Sequence, residues 1–222
     1  MTNYEIGSFG YWWTNVCGKD DIRNQVFEGD LDCSEQNLRN LQGCPIEVTG
    51  DFDCSDNHLY TLICAPYVVG GHFDCSYNKI YSLDRCPVFV GKELRCHCNN
   101  LTGLDGIAKS IGGDIDCSNN SLVSLNGCPS VVNGYFDCSM NDLSDLSGAP
   151  LTTRGFDCSH NKIISLLGAP SQLFGPFDCS FNRITTLKGC PERVGRLFYC
   201  HNNKLRNLEY LPICEAVNLG VK

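Results

Sequence analysis

The 222-residue chain has no run near the roughly 20 apolar residues that a membrane-crossing helix needs. Its first residues, MTNYEIGSFGYWW, show no basic stretch ahead of an apolar one, so no secretory leader is expected. Positive charge is scarce. Seventeen Lys and Arg against 25 Asp and Glu leave a net charge of −8, which works against binding nucleic-acid phosphates or anionic membranes. There is no phosphate loop, no nucleophile elbow and no zinc-protease motif, so nothing marks the chain as an enzyme. Tryptophan occurs only as Trp12 and Trp13. Cysteine, by contrast, occurs 17 times, and its spacing organises the rest.

Cys33, Cys54, Cys75, Cys96, Cys117, Cys138, Cys158, Cys179 and Cys200 follow one another at 21-residue steps, with a single step of 20. The same text surrounds each: FDCSYNKIYSLDRCP at 73–87, FDCSMNDLSDLSGAP at 136–150, FDCSFNRITTLKGCP at 177–191. The short step falls between Pro150 and Phe156. In the fourth copy Arg95 replaces Asp and His97 replaces Ser.

In F-D-C-S the period is two, so Phe and Cys point inward and Asp and Ser outward, which predicts a short, half-buried strand. The Asn that follows needs partners for its amide. Backbone groups of the neighbouring turn can supply them, as an asparagine ladder. Two Leu or Ile positions turn back inward, Gly and Pro bend the chain, and a Val anchors the return. One copy cannot bury its own inner face, whereas stacked copies share a continuous core.

This text resembles the leucine-rich-repeat family, with Phe and Cys in place of the strand leucines: Phe52/Cys54/Asn57/Leu59, Phe73/Cys75/Asn78/Ile80 and onward. The 21-residue length is close to the short repeats of bacterial secreted effectors. The F-x-C-S-x-N-x-L-x-x-L-x-G-x-P form is similar to arrays encoded by large bacteriophages and giant viruses. The resemblance spans residues 27–215. It implies a mostly β leucine-rich-repeat solenoid of nine turns, with short parallel strands on a concave face and little or no helix. Residues 1–26 are then an N-terminal cap, with Tyr11, Trp12 and Trp13 as apolar cover. Residues 216–222 are a tail, with Val217 and Leu219 closing the core.

Cys44, Cys86, Cys128 and Cys190 share a position with Ala65, Ala149 and Ala169, so that site wants a small apolar residue. Both cysteine sets are expected to be reduced packing residues in a cytoplasmic setting, the host's if the protein is viral. Disulfides between stacked turns are the alternative. No metal or cofactor is expected.

The alternation puts Asp32, Asp53, Asp74, Arg95, Asp116, Asp137, Asp157, Asp178 and Tyr199 in one outward column. Ser34, Ser55, Ser76, His97 and their successors form a second. One reading is structural, with Asp and Ser hydrogen-bonding along the ladder. The other begins from repulsion: carboxylates about 5 Å apart oppose one another's ionisation, and a cationic partner relieves it. The residue before each Asn varies between copies and includes Tyr77, Met140 and Phe181; Tyr135 and Tyr199 are further large outward residues. Aromatics are enriched in interface hot spots. The candidate partner-binding set is Asp53, Asp74, Tyr77, Arg95, His97, Tyr135, Asp137, Met140, Phe181 and Tyr199. The expected partner is a protein with a basic surface, with neither a membrane nor nucleic acid bound directly. An assembly subunit that self-associates through its ends is the alternative; a nucleic-acid mimic or cation-binding carboxylate ladder is third. Charge is also uneven: residues 1–111 carry 15 acids and 8 bases, and from 180 onward there are 7 bases to 3 acids.

Overall fold

The computed structural model describes residues 4–220. The chain forms two compact units: residues up to Leu101 with Asp105–Gly112, and Thr102–Leu104 with the residues from Gly113 on.

In unit one the strands Leu31–Asp32, Phe52–Asp53, Phe73–Asp74 and Leu94–Arg95 lie parallel and in register, Leu31 beside Phe52, Phe52 beside Phe73, Phe73 beside Leu94. A second parallel sheet forms where the chain returns: Val26–Phe27, Glu47–Val48, Val68–Val69, Phe89–Val90 and Ser110–Ile111. Unit two repeats the first sheet with Ile115–Asp116, Tyr135–Asp137, Gly155–Asp157, Phe177–Asp178 and Leu197–Tyr199, closed by Ala216–Asn218. Each unit is therefore a parallel-strand solenoid of the leucine-rich-repeat kind. The four turns of unit one and the five of unit two make up the nine copies in the sequence.

Identical residues stack because the register is exact in steps of one copy. The Phe52 and Phe73 rings lie 5.8 Å apart and parallel, and Phe136 and Phe156 5.7 Å apart at 9°. The cysteines of the ruler are buried free thiols. Their Sγ atoms donate to the strand carbonyl of the next turn: Cys33 to Asp53 O at 3.2 Å, Cys117 to Asp137 O at 3.1 Å, Cys138 to Asp157 O at 3.3 Å. A methyl group of similar size would fill the space without supplying that donor.

The strands stop after two or three residues because Asp then turns the chain. Asp53 Oδ1 accepts from the Ser55 N–H at 2.9 Å and the Ser55 hydroxyl at 2.7 Å; Asp74, Asp116 and Asp178 do the same with Ser76, Ser118 and Ser180. These bonds run within a turn, so the expected Asp–Ser bonding along the ladder is replaced by a local Asx-turn. The inter-turn bonding falls to Asn. Asn57 Nδ2 donates to Cys33 O of the preceding turn at 2.9 Å, and its Oδ1 accepts from Leu38 N–H at 2.8 Å. Asn141 bonds Cys117 O and Leu122 N–H in the same way.

Asp30, Asp51 and Asp114 clamp the turn that follows them. Their Oδ1 atoms accept the N–H of Asp51, His72 and Tyr135 at 2.7–2.8 Å. A Cβ on Gly50, Gly71 or Gly134 would sit 2.1, 1.9 and 1.9 Å from those same carboxylate oxygens, so the clamp requires glycine in the next copy. The one-residue deletion is absorbed at buried Thr153, whose Oγ1 lies 2.7 Å from Gly134 O and 3.0 Å from Gly155 O.

At the N-terminal end a short helix, Phe9–Tyr11, continues into a wider turn over Trp12–Val16. Phe9 is fully buried against Trp12 and Trp13, and Trp13 meets Phe27 edge-on. The other end is less covered. Half-buried Val217 pairs with the fully buried Phe198, but Leu208, Leu211, Ile213 and Leu219 are all exposed, so Leu219 does not help close the core as expected.

Candidate interaction surface

The residue before each Asn holds the geometry of the outward surface. Glu35, Asp56, Tyr77, Cys98, Asn119, Met140, His160, Phe181 and Asn202 all adopt left-handed backbone, with φ between 51° and 56°. The chain must take that corner to bring the Asn amide inward. Outside Gly, Asn and Asp the corner costs about 1 kcal/mol per residue. Tyr77, Met140, His160 and Phe181 accept that cost and project outward, each exposed.

In unit one several outward charges are paired. Arg95 pairs with Glu93 at 2.5 Å and with Asp74 at 3.6 Å. The Glu93 bond, above all, holds the Arg95 guanidinium in its charged form. Lys92 lies 3.4 Å from Asp51, whose carboxyl is held low by the His72 N–H first and Lys92 after it. His72 faces Glu93 at 3.4 Å. Asp53 is raised by burial, opposed by its Ser55 bonds, with Asp74 and Asp32 adding to the rise. Tyr77 meets His97 edge-on at 5.2 Å. Arg95 and His97, which break the columns in sequence, thus serve as an internal counter-ion and a ring contact.

In unit two Asp157 has no such counter-ion among the described residues. It stands between Asp137 and Asp178 in adjacent in-register strands. Burial lifts its carboxyl to about 6; Asp137 and Asp178 add to the lift, and the Ser159 bonds oppose it. Beside this row of carboxylates runs a line of rings, from the corner residues His160 and Phe181 to His201 and Tyr199 of the last turn. His160 stacks on Phe181 at 4.1 Å and 12°, Phe181 meets His201 at 5.2 Å, and His201 meets Tyr199 at 6.5 Å. Met140 occupies the corresponding corner two turns before Phe181, and is exposed.

The structure therefore places Asp53, Asp74, Tyr77, Arg95 and His97 in unit one, and Asp137, Met140, Phe181 and Tyr199 on the outward face of unit two. Tyr135 stands apart from them. It starts its strand and leans over the glycines of the next turns, with a Cβ on Gly155 lying 2.4 Å from its Cε1. His160 and His201 were not singled out in sequence; their place in the ring row follows from the corner position and from the Ser column. No cluster of three or more His, Cys, Asp or Glu able to hold a metal occurs among the described residues.

No protein-family model and no curated protein matches the sequence. Among solved structures the chain is similar to YopM from Yersinia enterocolitica WA-314, at 20% identity and a TM-score of 0.36. The match covers 86% of this chain, which spans 57% of the length of that one. The fold rests on the register and hydrogen bonds above.

Proposed function

We propose that the chain is a non-enzymatic protein-binding module, and that the outward face of unit two receives a basic segment of its partner. The observation that carries this reading is Asp157, raised by burial and set between Asp137 and Asp178 without an ion pair among the described residues, beside the His160–Phe181–His201 rings. A guanidinium is the side chain that satisfies both halves. It pairs a carboxylate through two N–H donors and lies flat on an aromatic face. Unit one offers a poorer target, since Arg95 already answers Asp74 and Glu93. The ordinary solenoid repeats supply rigidity, and the corners carry the specificity. The buried thiols suit a reducing, cytoplasmic compartment.

Titration of extended Arg-containing peptides, followed by fluorescence anisotropy, tests the proposal. Binding is expected to strengthen from pH 5 to pH 7, because the bound cation favours ionised Asp157. Phe181→Asn combined with Asp157→Asn is expected to weaken it about tenfold or more, while Asp53→Asn changes it little. Equal binding of neutral peptides, or no loss in the double variant, overturns it. Assembly through the C-terminal turn is the second reading, favoured by exposed Leu208, Leu211 and Ile213; light scattering across a concentration series tests it.

A further inference from the structure

We propose that a groove on the return side of unit two, away from the ring row, binds a small aromatic phosphate. The groove has a volume of about 680 Å³, within the usual size range of small-molecule sites. Tyr135, Phe174, Arg154, Arg196, Asn133 and Thr152 define it.

Its origin is the short turn. Just before the strand, unit one carries Gly70 and Gly91, whose missing Cβ atoms would lie 2.1 and 1.9 Å from the carbonyl oxygens of Thr49 and Gly70. That edge is sealed backbone on backbone. In unit two Asn133 and Phe174 hold the same place, and the deletion after Pro150 brings Arg154 to the surface beside them. Phe174 is 72% exposed, an unusual position for a large ring in a chain with so regular a core. Tyr135 packs one edge on Gly155, with its hydroxyl reaching toward Gly175, and leaves the rest of its ring open.

The two arginines make the groove selective. In a chain of net charge −8, neither Arg154 nor Arg196 enters an ion pair or a side-chain hydrogen bond among the described residues. The nearby Asp114 carboxylate is already engaged by the Tyr135 N–H at 2.7 Å. Two free guanidiniums at one groove suit a doubly charged phosphate monoester, which accepts paired N–H donors from each. The exposed Tyr135 and Phe174 rings suit a planar ring on the same molecule. The Thr152 hydroxyl is a polar group at hand for its edge. A mononucleotide and a phosphorylated tyrosine both have this chemistry.

Calorimetric titration with adenosine 5′-monophosphate and with free phosphotyrosine tests the site, with adenosine and inorganic phosphate as fragments. At least one of the two whole probes is expected to bind with a Kd below about 1 mM, and about tenfold tighter than either fragment. The tighter probe names the source. Raising salt is expected to weaken binding several-fold. Arg154→Ala with Arg196→Ala is expected to weaken it at least about tenfold, and Phe174→Ala, at a fully outward ring, to weaken it without touching the core. No saturation by either probe overturns the proposal. So does inorganic phosphate binding as tightly as both probes, or unaltered binding in the double arginine variant with its melting curve intact. The peptide-binding reading stands or falls separately, since it involves none of these side chains.

Discussion

Replacing Asp157 by Asn isolates the cost of the uncompensated carboxylate. The amide keeps an oxygen to accept the Ser159 N–H, now bonded to Asp157 Oδ1 at 2.8 Å, and removes only the charge. The lift from an ordinary value near 3.9 to about 6 spans about two pH units, or about 3 kcal/mol. The sign follows from proton counts. Between those two values the unfolded chain has lost its proton and the folded chain keeps it, so stability falls as pH rises from about 4 to about 6. Above that the full cost is present. Asp157→Asn is therefore expected to gain up to about 3 kcal/mol at pH 7, a rise in melting temperature of about 5–10 °C, with no gain below pH 4. Thermal melts by circular dichroism every half unit from pH 4 to pH 8 measure it. A difference between variant and parent that stays constant across that range refutes the argument that burial and the flanking Asp137 and Asp178 set this carboxyl.

Two further outcomes follow from the same ladders. Asn141→Ala strips the bond to Cys117 O and leaves the Leu122 N–H unanswered in a buried site, so a loss of about 2–4 kcal/mol is expected in denaturant unfolding; Asn202→Ala, at an exposed left-handed corner, is expected to cost only the corner's own strain of about 1 kcal/mol. Under native conditions iodoacetamide is expected to label exposed Cys17 and Cys64 first, and the ruler cysteines only on unfolding, since burial pushes those thiols well up and holds even Cys86 and Cys128 near 12. Mass spectrometry of the labelled peptides reads the order.

The turns, their inward faces and the inter-turn role of Asn were legible in the sequence because each depends on a period that the text repeats. What period cannot give is reach. Asp53 and Ser55 share a face, and alternation alone does not say whether their atoms meet within one turn or across two; the short carboxylate decides for the nearer N–H. Nor does it reveal that the residue before Asn turns left-handed, because Tyr77 and Phe181 lack the Gly or Asn that usually announces such a corner. Arg95 reads as a break in a column until Glu93 is seen beside it. Tyr135 shares the outward side with Asp137 by parity, yet it packs over a neighbouring glycine at the other edge.

The carboxylate clamp of Asp30, Asp51 and Asp114 also bears on how such an array can grow. Each clamp spans a boundary between copies, so half of it belongs to one 21-residue block and half to the next. A duplicated block inherits an oxygen that will strike any side chain in its new neighbour, as at Gly50, Gly71 and Gly134. Where His72 stands in place of the clamping Asp, the following copy carries Lys92 instead of glycine. Copies are thus dialects rather than interchangeable letters. Recombination or design that cuts between the acid and its glycine will assemble mismatched neighbours, whereas a cut that moves both together lets the array lengthen, shorten or be spliced without a clash.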